Sequence, residues 1–400
     1  TGTEVVTNVN NTIQGSGRIG YNNSIGLINS GIIDATNAYV LVLAPSTSLS
    51  TGVLNQAGGV LRGSGTGGLS ITQGRINNQG LVEALANSSV TFGSSVTTQN
   101  ISSNTLTGGT WRANSVGGSS ATIDFQGANT FISRNDADIY LIGAGSVIQG
   151  RNGSLTQSLD SSLWDNRGSL HIQDRTFTAA ANAGNFSNRA GSLLELNNAT
   201  FQSASLTMYA NNLADISTLN SYGTSTLTTS ASQVGNNGIG QINALSGTLT
   251  ISNGVNLGSN ASLSSSMTSY AGAAINLSGA TTASKVGTLN NNGNLNLGSQ
   301  DINVSSDYTN ANFGVGNSFN NHANVTGTGQ ILATGDVGIS LTGADITGGT
   351  TATPTLNLGK VHVDTATSGS FAINNTGTTG PVIRGAIKTT GNELGIADQN

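Results

Sequence analysis

The hydrophobic positions of this chain fall in short alternating runs, not in helical stripes. Gly31-Ile32-Ile33-Asp34-Ala35 sets the form: glycine, β-former, large apolar residue, charge, small residue. It returns at Gly59-Val60-Leu61-Arg62-Gly63, Gly80-Leu81-Val82-Glu83-Ala84 and Gly109-Thr110-Trp111-Arg112-Ala113, with steps of 28, 21 and 29 residues between the leading glycines. Alternation of period two is the pattern of a strand with one buried face. Its recurrence at roughly 20–30 residues predicts a stacked solenoid with one such strand per coil. Stacking also places Asp34, Arg62, Glu83 and Arg112 in one register, about 4.8 Å apart and alternating in sign. We expect a charge ladder on one face, whose pairs each contribute under about 1 kcal/mol if they are partly exposed.

The repeat becomes cleaner after residue 165. Asn166-Arg167-Gly168-Ser169-Leu170-His171-Ile172 is answered by Asn188-Arg189-Ala190-Gly191-Ser192-Leu193-Leu194 and then by Asn212-Leu213-Ala214-Asp215-Ile216, in steps of 23 residues. Gly247-Thr248-Leu249-Thr250-Ile251 and Gly293-Asn294-Leu295-Asn296-Leu297 lie 46 residues apart, twice that step. A coil of about 23 residues over residues 10–345 predicts roughly 15 coils and, at about 4.8 Å per coil, a rod near 70 Å long. Asn before a corner glycine, as in Asn29-Ser30-Gly31 and Asn77-Asn78-Gln79-Gly80, suits left-handed backbone, and stacked Asn side chains can bond from coil to coil. The stretch 114–165 is less regular: strands are expected around Thr122–Phe125 and Ile139–Ile142, and Leu155, Leu159 and Leu163 predict a short helical turn before Trp164.

Composition sharpens this picture. Charged residues are only 8% of the chain, Gly reaches 56 residues and aromatics are 4%, yet the regularly spaced aliphatics argue against disorder. With no cysteine, neither a disulfide framework nor a thiolate metal site is available. No apolar run approaches the length of a membrane helix. A net charge of −5 with three lysines argues against nucleic acid as a partner. The start at Thr1, without Met or an apolar leader, reads as a mature product or an excised piece.

Candidate chemistry is sparse. Gly15, Gly17 and Gly20 match a dinucleotide fingerprint formally, but no helical pattern follows, so they read as solenoid corners. Asp136 and Asp138 form a D-x-D pair without the glycine-rich nonapeptide of calcium-binding solenoids. A glycosidase needs two carboxylates across a cleft, roughly 5–10 Å apart, and Glu195 with Asp174 or Asp215 lies about one coil apart. His171, His322 and His362 show no ligand-like spacing. Trp111 and Trp164 read as core fillers or end plugs rather than sugar platforms. Thr226-Leu227-Thr228 and Thr248-Leu249-Thr250 suggest the hydroxyl array of an ice-binding face, but the pair does not persist in sequence. No catalytic residue, cofactor or metal site is assigned.

Gly108-Gly109-Thr110-Trp111, Asn166-Arg167-Gly168-Ser169-Leu170 and Gly184-Asn185-Phe186-Ser187-Asn188 resemble repeats of large secreted bacterial β-helix proteins, of the filamentous-haemagglutinin and autotransporter-passenger kind. The resemblance implies a right-handed parallel β-helix, export to the cell surface, and adhesion or matrix building, with a polysaccharide lyase or glycosidase as the alternative. Residues 1–30 then supply an edge strand and first coil, 31–345 the β-helix, and 346–354 a linker. Leu356-Asn357-Leu358-Gly359-Lys360-Val361-His362-Val363 and Ser370-Phe371-Ala372-Ile373-Asn374-Asn375-Thr376-Gly377 resemble the start of the immunoglobulin-like modules called choice-of-anchor D. An immunoglobulin-like β-sandwich needs about 100 residues, so 355–400 is an incomplete segment. Val361, Val363, Phe371, Ile373, Val382 and Ile383 are left to accept strands, either because the chain is a fragment or because Val5, Val6 and Val9 of another copy are donated. Such a contact would build a head-to-tail fibre; other surface or matrix components are the alternative partners.

Overall fold

A computed structural model describes residues 4–21, 25–179, 185–258, 263–280, 282–310 and 325–328, with isolated strands at Ile331–Ala333, Ile339–Ser340, Ile346–Gly349, Pro354–Leu356 and Asn374–Asn375. Strands make up 62% and helix 1%, arranged as a parallel β-solenoid of about 11 turns. Each coil is three-sided. One complete coil runs through Leu41–Leu43 on the first face, Val53–Asn55 on the second and Val60–Gly63 on the third. The next runs through Leu69–Asn78, which covers two faces, and Leu81–Ala84.

The third face is continuous. Its central inward column stacks Ile33, Leu61, Val82, Trp111, Ile139, Leu170, Leu194, Leu219, Ile242, Met267 and Leu289 in parallel register. All of these are buried, and each large side chain removed from water stabilises the column by about 1.5–3 kcal/mol. Alternate positions turn outward, as the period-two pattern requires. Trp111 fills the core, meeting Phe92 and Phe125 edge-on at 5.9 and 5.3 Å, while Phe92 stacks on Phe125. The first face, in contrast, is split. Parallel pairing runs from Gly17–Ile19 to Ser146–Asn152, then resumes at Thr176–Thr178 as a separate seven-stranded sheet. Between the two, Leu155–Ser158 folds back antiparallel on Ser146–Asn152 and leads into a short helix, Leu159–Ser162, the one helix among the described residues. Leu159 and Leu163 are buried there, and Leu155 faces outward.

The outward residue at the charge-ladder register steps from Gln14 to Asn290 in eleven coils. The mean coil is therefore (290 − 14)/11, about 25 residues, longer than the expected 23. The two longest coils carry insertions. The Ile101–Ser102 hairpin lies between Glu83 and Arg112, and the Leu155–Ser158 arm with its helix lies between Tyr140 and His171. About 11 turns replace the expected 15, and at about 4.8 Å per turn the rod is about 50 Å long.

Buried asparagines hold the corner between the second and third faces. Asn8 donates through Nδ2 to Asn29 Oδ1, Asn29 to Asn55, and Asn55 to Asn78, each at 2.8 Å. After the hairpin insertion the ladder resumes from Asn135 to Asn166 to Asn188. At the interruption Asn100 brackets Asn78, accepting its backbone N–H and donating to its carbonyl. Each ladder amide also donates to backbone carbonyls, Asn55 to Gly59 and Leu81 for example. The glycine after each corner follows from crowding rather than from left-handed backbone. A Cβ on Gly59 would run into Asn29 O, and one on Gly80 into Gly59 O; of the four leading glycines only Gly109 has positive φ. Left-handed non-glycine backbone falls elsewhere, at Asn87, Asn104, Asn129 and Asn198 among others. Gly15, Gly17 and Gly20 all have positive φ at the first coil.

Glu4–Asn8 pairs in parallel with Ile25–Asn29 and with no other described strand; Val5 and Val6 on it, and Val9 just past its end, are exposed. Ile346–Gly349, in the stretch read as a linker, pairs antiparallel with Pro354–Leu356. The candidate strand acceptors Val361, Val363, Phe371, Ile373, Val382 and Ile383 lie outside the described residues.

The ladder predicts an asymmetry between neighbours. Asn55→Asp turns a buried donor into a carboxylate facing the Gly59 and Leu81 carbonyls and Asn78 Oδ1, at an expected cost of about 3 kcal/mol or more. Asn77→Asp, outside the ladder, is expected to stay within about 0.5 kcal/mol of the parent. Chemical denaturation of both variants measures the difference, and equal losses would contradict the assigned role of the ladder.

Candidate functional site

The outward column of the third face gathers most of the chemistry that the chain possesses. In coil order it reads Asp34, Arg62, Glu83, Arg112, Tyr140, His171, Glu195, Asn220, Asn243, Thr268 and Asn290. The four expected ladder charges head it. Arg62 Nη1 lies 3.6 Å from Asp34, and Arg62 and Arg112 each bond Glu83 through Nε, at 2.7 and 2.6 Å. The partial exposure on which the small contribution depends is not met at Glu83, whose side chain is 3% exposed. Two guanidiniums cover it, so its charge sits in a medium where pairing matters more than at a surface.

Farther along, Asp138, His171 and Glu195 form a clamp. His171 Nε2 is 3.2 Å from Asp138 Oδ1, and Nδ1 is 3.0 Å from Glu195 Oε1. Tyr140 stacks flat on the imidazole, with centroids 4.1 Å apart. Burial alone lowers the His171 pKa, but hydrogen bonds to Asp138 and Glu195, aided by their charges, outweigh it and push the value up to about 9. The ring is therefore an imidazolium at neutral pH, with both N–H groups donating to carboxylates. It has no free lone pair with which to act as a base. Burial also raises the Tyr140 pKa, with Asp138 and Glu195 adding to the effect.

The register corrects the carboxylate pairings considered from sequence. Glu195 stands against His171, and Asp174 lies three residues farther along the chain, just past the end of that strand. Asp215 precedes Asn220, the partner of Glu195, by five residues on the next coil. Asp174 and Asp215 instead take hydrogen bonds from Gln173 and Asn211. Asp138 belongs to the clamp and also accepts from Thr110, while Asp136 is exposed and is not part of it. No group of three potential metal ligands occurs among the described residues. His322 and His362 lie outside them.

A second cluster was not foreseen. Asp165, fully buried, draws Arg134, Arg167 and Arg189 from three coils, at 3.6, 2.9 and 2.7 Å. Arg134 lies over Trp164 and Arg189 over Tyr209, so Trp164 is a half-exposed ring under a cation and not a plug. The signal was in the sequence: Asn-Arg occurs at 166–167 and again at 188–189, and the corner asparagines put those arginines on successive coils.

On the first face the hydroxyls persist where the sequence pairing broke off. Register sets Thr224 against Thr248, Thr226 against Thr250 and Thr228 against Ser252, and it continues to Thr200 and Thr176 on earlier coils. The two T-x-T pairs are thus offset by two residues, which hid the column.

Reversing Arg62 to Asp sets three acids in register, the buried Glu83 among them. The Arg62→Asp variant is expected to lose about 3 kcal/mol or more, most strongly at low ionic strength, with partial recovery in salt; thermal melts at two salt concentrations measure this. His171 supplies a pH signature. Its folded pKa of about 9 exceeds the unfolded 6.5, so the folded state holds the proton more tightly. Its contribution is complete below pH 6.5 and disappears as pH rises to about 9. Melting curves between those limits are expected to fall for the parent and to flatten in His171→Gln.

No family model, curated protein or solved structure matches this chain, so the fold, the two ladders and these two clusters are the grounds on which function is argued.

Proposed function

We propose that this chain is a structural and adhesive rod of a secreted or cell-surface protein, presenting the outside of a β-solenoid and assembling with copies of itself or with matrix components. One observation carries the reading: polar and charged side chains are joined along the rod axis, coil to coil, in a way that stiffens the stack. The asparagine ladder, the Asp34–Arg62–Glu83–Arg112 ladder and the Asp138–His171–Glu195 clamp all link neighbouring coils. Much of the surface between them is Thr, Ser and Asn. Among the described residues no helix is long and apolar enough to cross a membrane. Exposed Val5 and Val6 on the outermost described strand, with Val9 just past its end, favour assembly through that edge.

The alternative, a carbohydrate-active enzyme, draws on the gathering of Asp138, His171, Glu195 and Tyr140 on one face. Against it stands the geometry of His171, whose two ring nitrogens are both taken up by these carboxylates, which leaves the imidazole no free lone pair with which to act as a base.

Purified protein is expected to appear as rods or rod-based fibres by negative stain and to retain coated beads on a matrix surface, while releasing no reducing ends from a polysaccharide panel. Release that disappears in Glu195→Gln would replace the adhesive reading with the enzymatic one. Deleting residues 1–10 tests the assembly edge: fibres that persist would exclude it.

A further inference from the structure

The cluster around Asp165 differs from the other arginine ion pairs of the described chain in its charge balance. Arg62 and Arg112 are matched by Asp34 and Glu83, Arg151 by Asp124, and Arg175 by Asp160. Asp165 alone has three arginines, which leaves a local excess of positive charge. Asp136, at the corner position one coil before Arg167, reduces that excess but makes no ion pair with the cluster. One carboxylate needs no third guanidinium for neutralisation.

The donors are also unmatched. Each guanidinium offers a rigid fork of N–H groups. Within the cluster only Nε and Nη2 of Arg167 and Nε of Arg189 reach a protein acceptor, and all three end on Asp165. Among the described residues Arg134 makes no hydrogen bond: its buried Nε faces Asp165 at 3.6 Å, within ion-pair reach but too far to donate. A buried N–H that donates to nothing carries a desolvation cost, which an oxyanion at the cluster would relieve. The side chains are nonetheless reachable, with Arg134 39%, Arg167 45% and Arg189 34% exposed. Trp164 and Tyr209 lie beneath Arg134 and Arg189, at 5.5 and 4.6 Å from their guanidinium carbons. They fix the planes of the two cations and flank them with apolar ring surface.

From this geometry we propose that Arg134, Arg167 and Arg189, flanked by Trp164 and Tyr209, bind an acidic polysaccharide through its carboxylate or sulfate groups. The guanidinium fork pairs in bidentate fashion with oxyanions, as Arg151 does with Asp124 elsewhere on the rod. Aromatic edges supply the apolar contact that sugar C–H faces seek. A polysaccharide is favoured over nucleic acid because the positive patch covers only about three coils, about 10 Å along the axis, on a chain of net charge −5. A phosphate backbone binds through many such contacts along an extended basic surface. The proposal rests on the adhesive reading for its biological setting and names the ligand class; binding is measured directly, so either can fail alone.

The test titrates the full chain with polygalacturonate, dextran sulfate, unmodified dextran and duplex DNA at several salt concentrations. Binding of one or both acidic polysaccharides, but not dextran, is expected, and the stronger of the two identifies carboxylate or sulfate as the ligand group. The double variant Arg167→Gln/Arg189→Gln is expected to bind at least tenfold more weakly with a shallower salt dependence, while Arg62→Gln binds as the parent does. Should the double variant fail to fold, phenylglyoxal modification of the intact parent gives the same answer. Bound polysaccharide is expected to protect Arg134, Arg167 and Arg189 but not Arg62 or Arg112. Unaltered affinity in a folded double variant, absence of protection, equal binding of neutral dextran, or preference for DNA would each overturn the proposal.

Discussion

A parallel stack of coils has one constraint that its aliphatic core cannot meet: at every corner, polar backbone turns inward and must find a partner away from water. In this protein the corner between the second and third faces meets it with asparagine. The side-chain amide matches the peptide group in donors and acceptors, so Asn29 and Asn55 extend the ladder of one coil to the next. The bond also fixes register. A slip of one residue would turn the Leu61 and Val82 column outward and would separate Nδ2 from Oδ1 throughout. Where the hairpin at Ile101–Ser102 displaces the corner, Asn100 bonds the backbone of Asn78 instead. The constraint is met there by different chemistry.

Charge follows the same axis. Asp34, Glu83, Asp124, Asp138, Asp160, Asp165 and Glu195 each stand within an ion pair, and nearly all of the partners come from another coil or an insertion. With charged residues at 8% of the chain, such pairs account for much of its electrostatics. Over-neutralisation of Asp165 therefore stands out, as does the doubly held imidazolium of His171.

The third face was legible in sequence because its outward residue keeps a fixed offset from the glycine that crowding demands. Asp34, Arg62, Glu83 and Arg112 could be stacked without coordinates. The coil length was not, because the estimate came from the regular region after residue 165, whereas insertions lengthen the coils before Arg112 and His171. The clamp escaped notice for a geometric reason. Asp138 pairs in register with Ser169, and it reaches His171 diagonally, two residues on. Asp165 and its arginines escaped because Arg134 lies on the second face and the others at the corner, so no single period relates them. The threonine column needed the register itself.

The split of the first face has a mechanical meaning. Along most of the rod, neighbouring coils are joined by backbone seams on several sides, and a pull along the axis is shared among them. Between Ser146–Asn152 and Thr176–Thr178 the first-face seam is absent. The inserted helix fills that gap, and Arg175 ties it across by bonding the carbonyl and hydroxyl of Ser146 and closing on Asp160 of the helix. The rod therefore carries a built-in yield point near its middle, where stretching would part the first face while the continuous third face acts as the hinge.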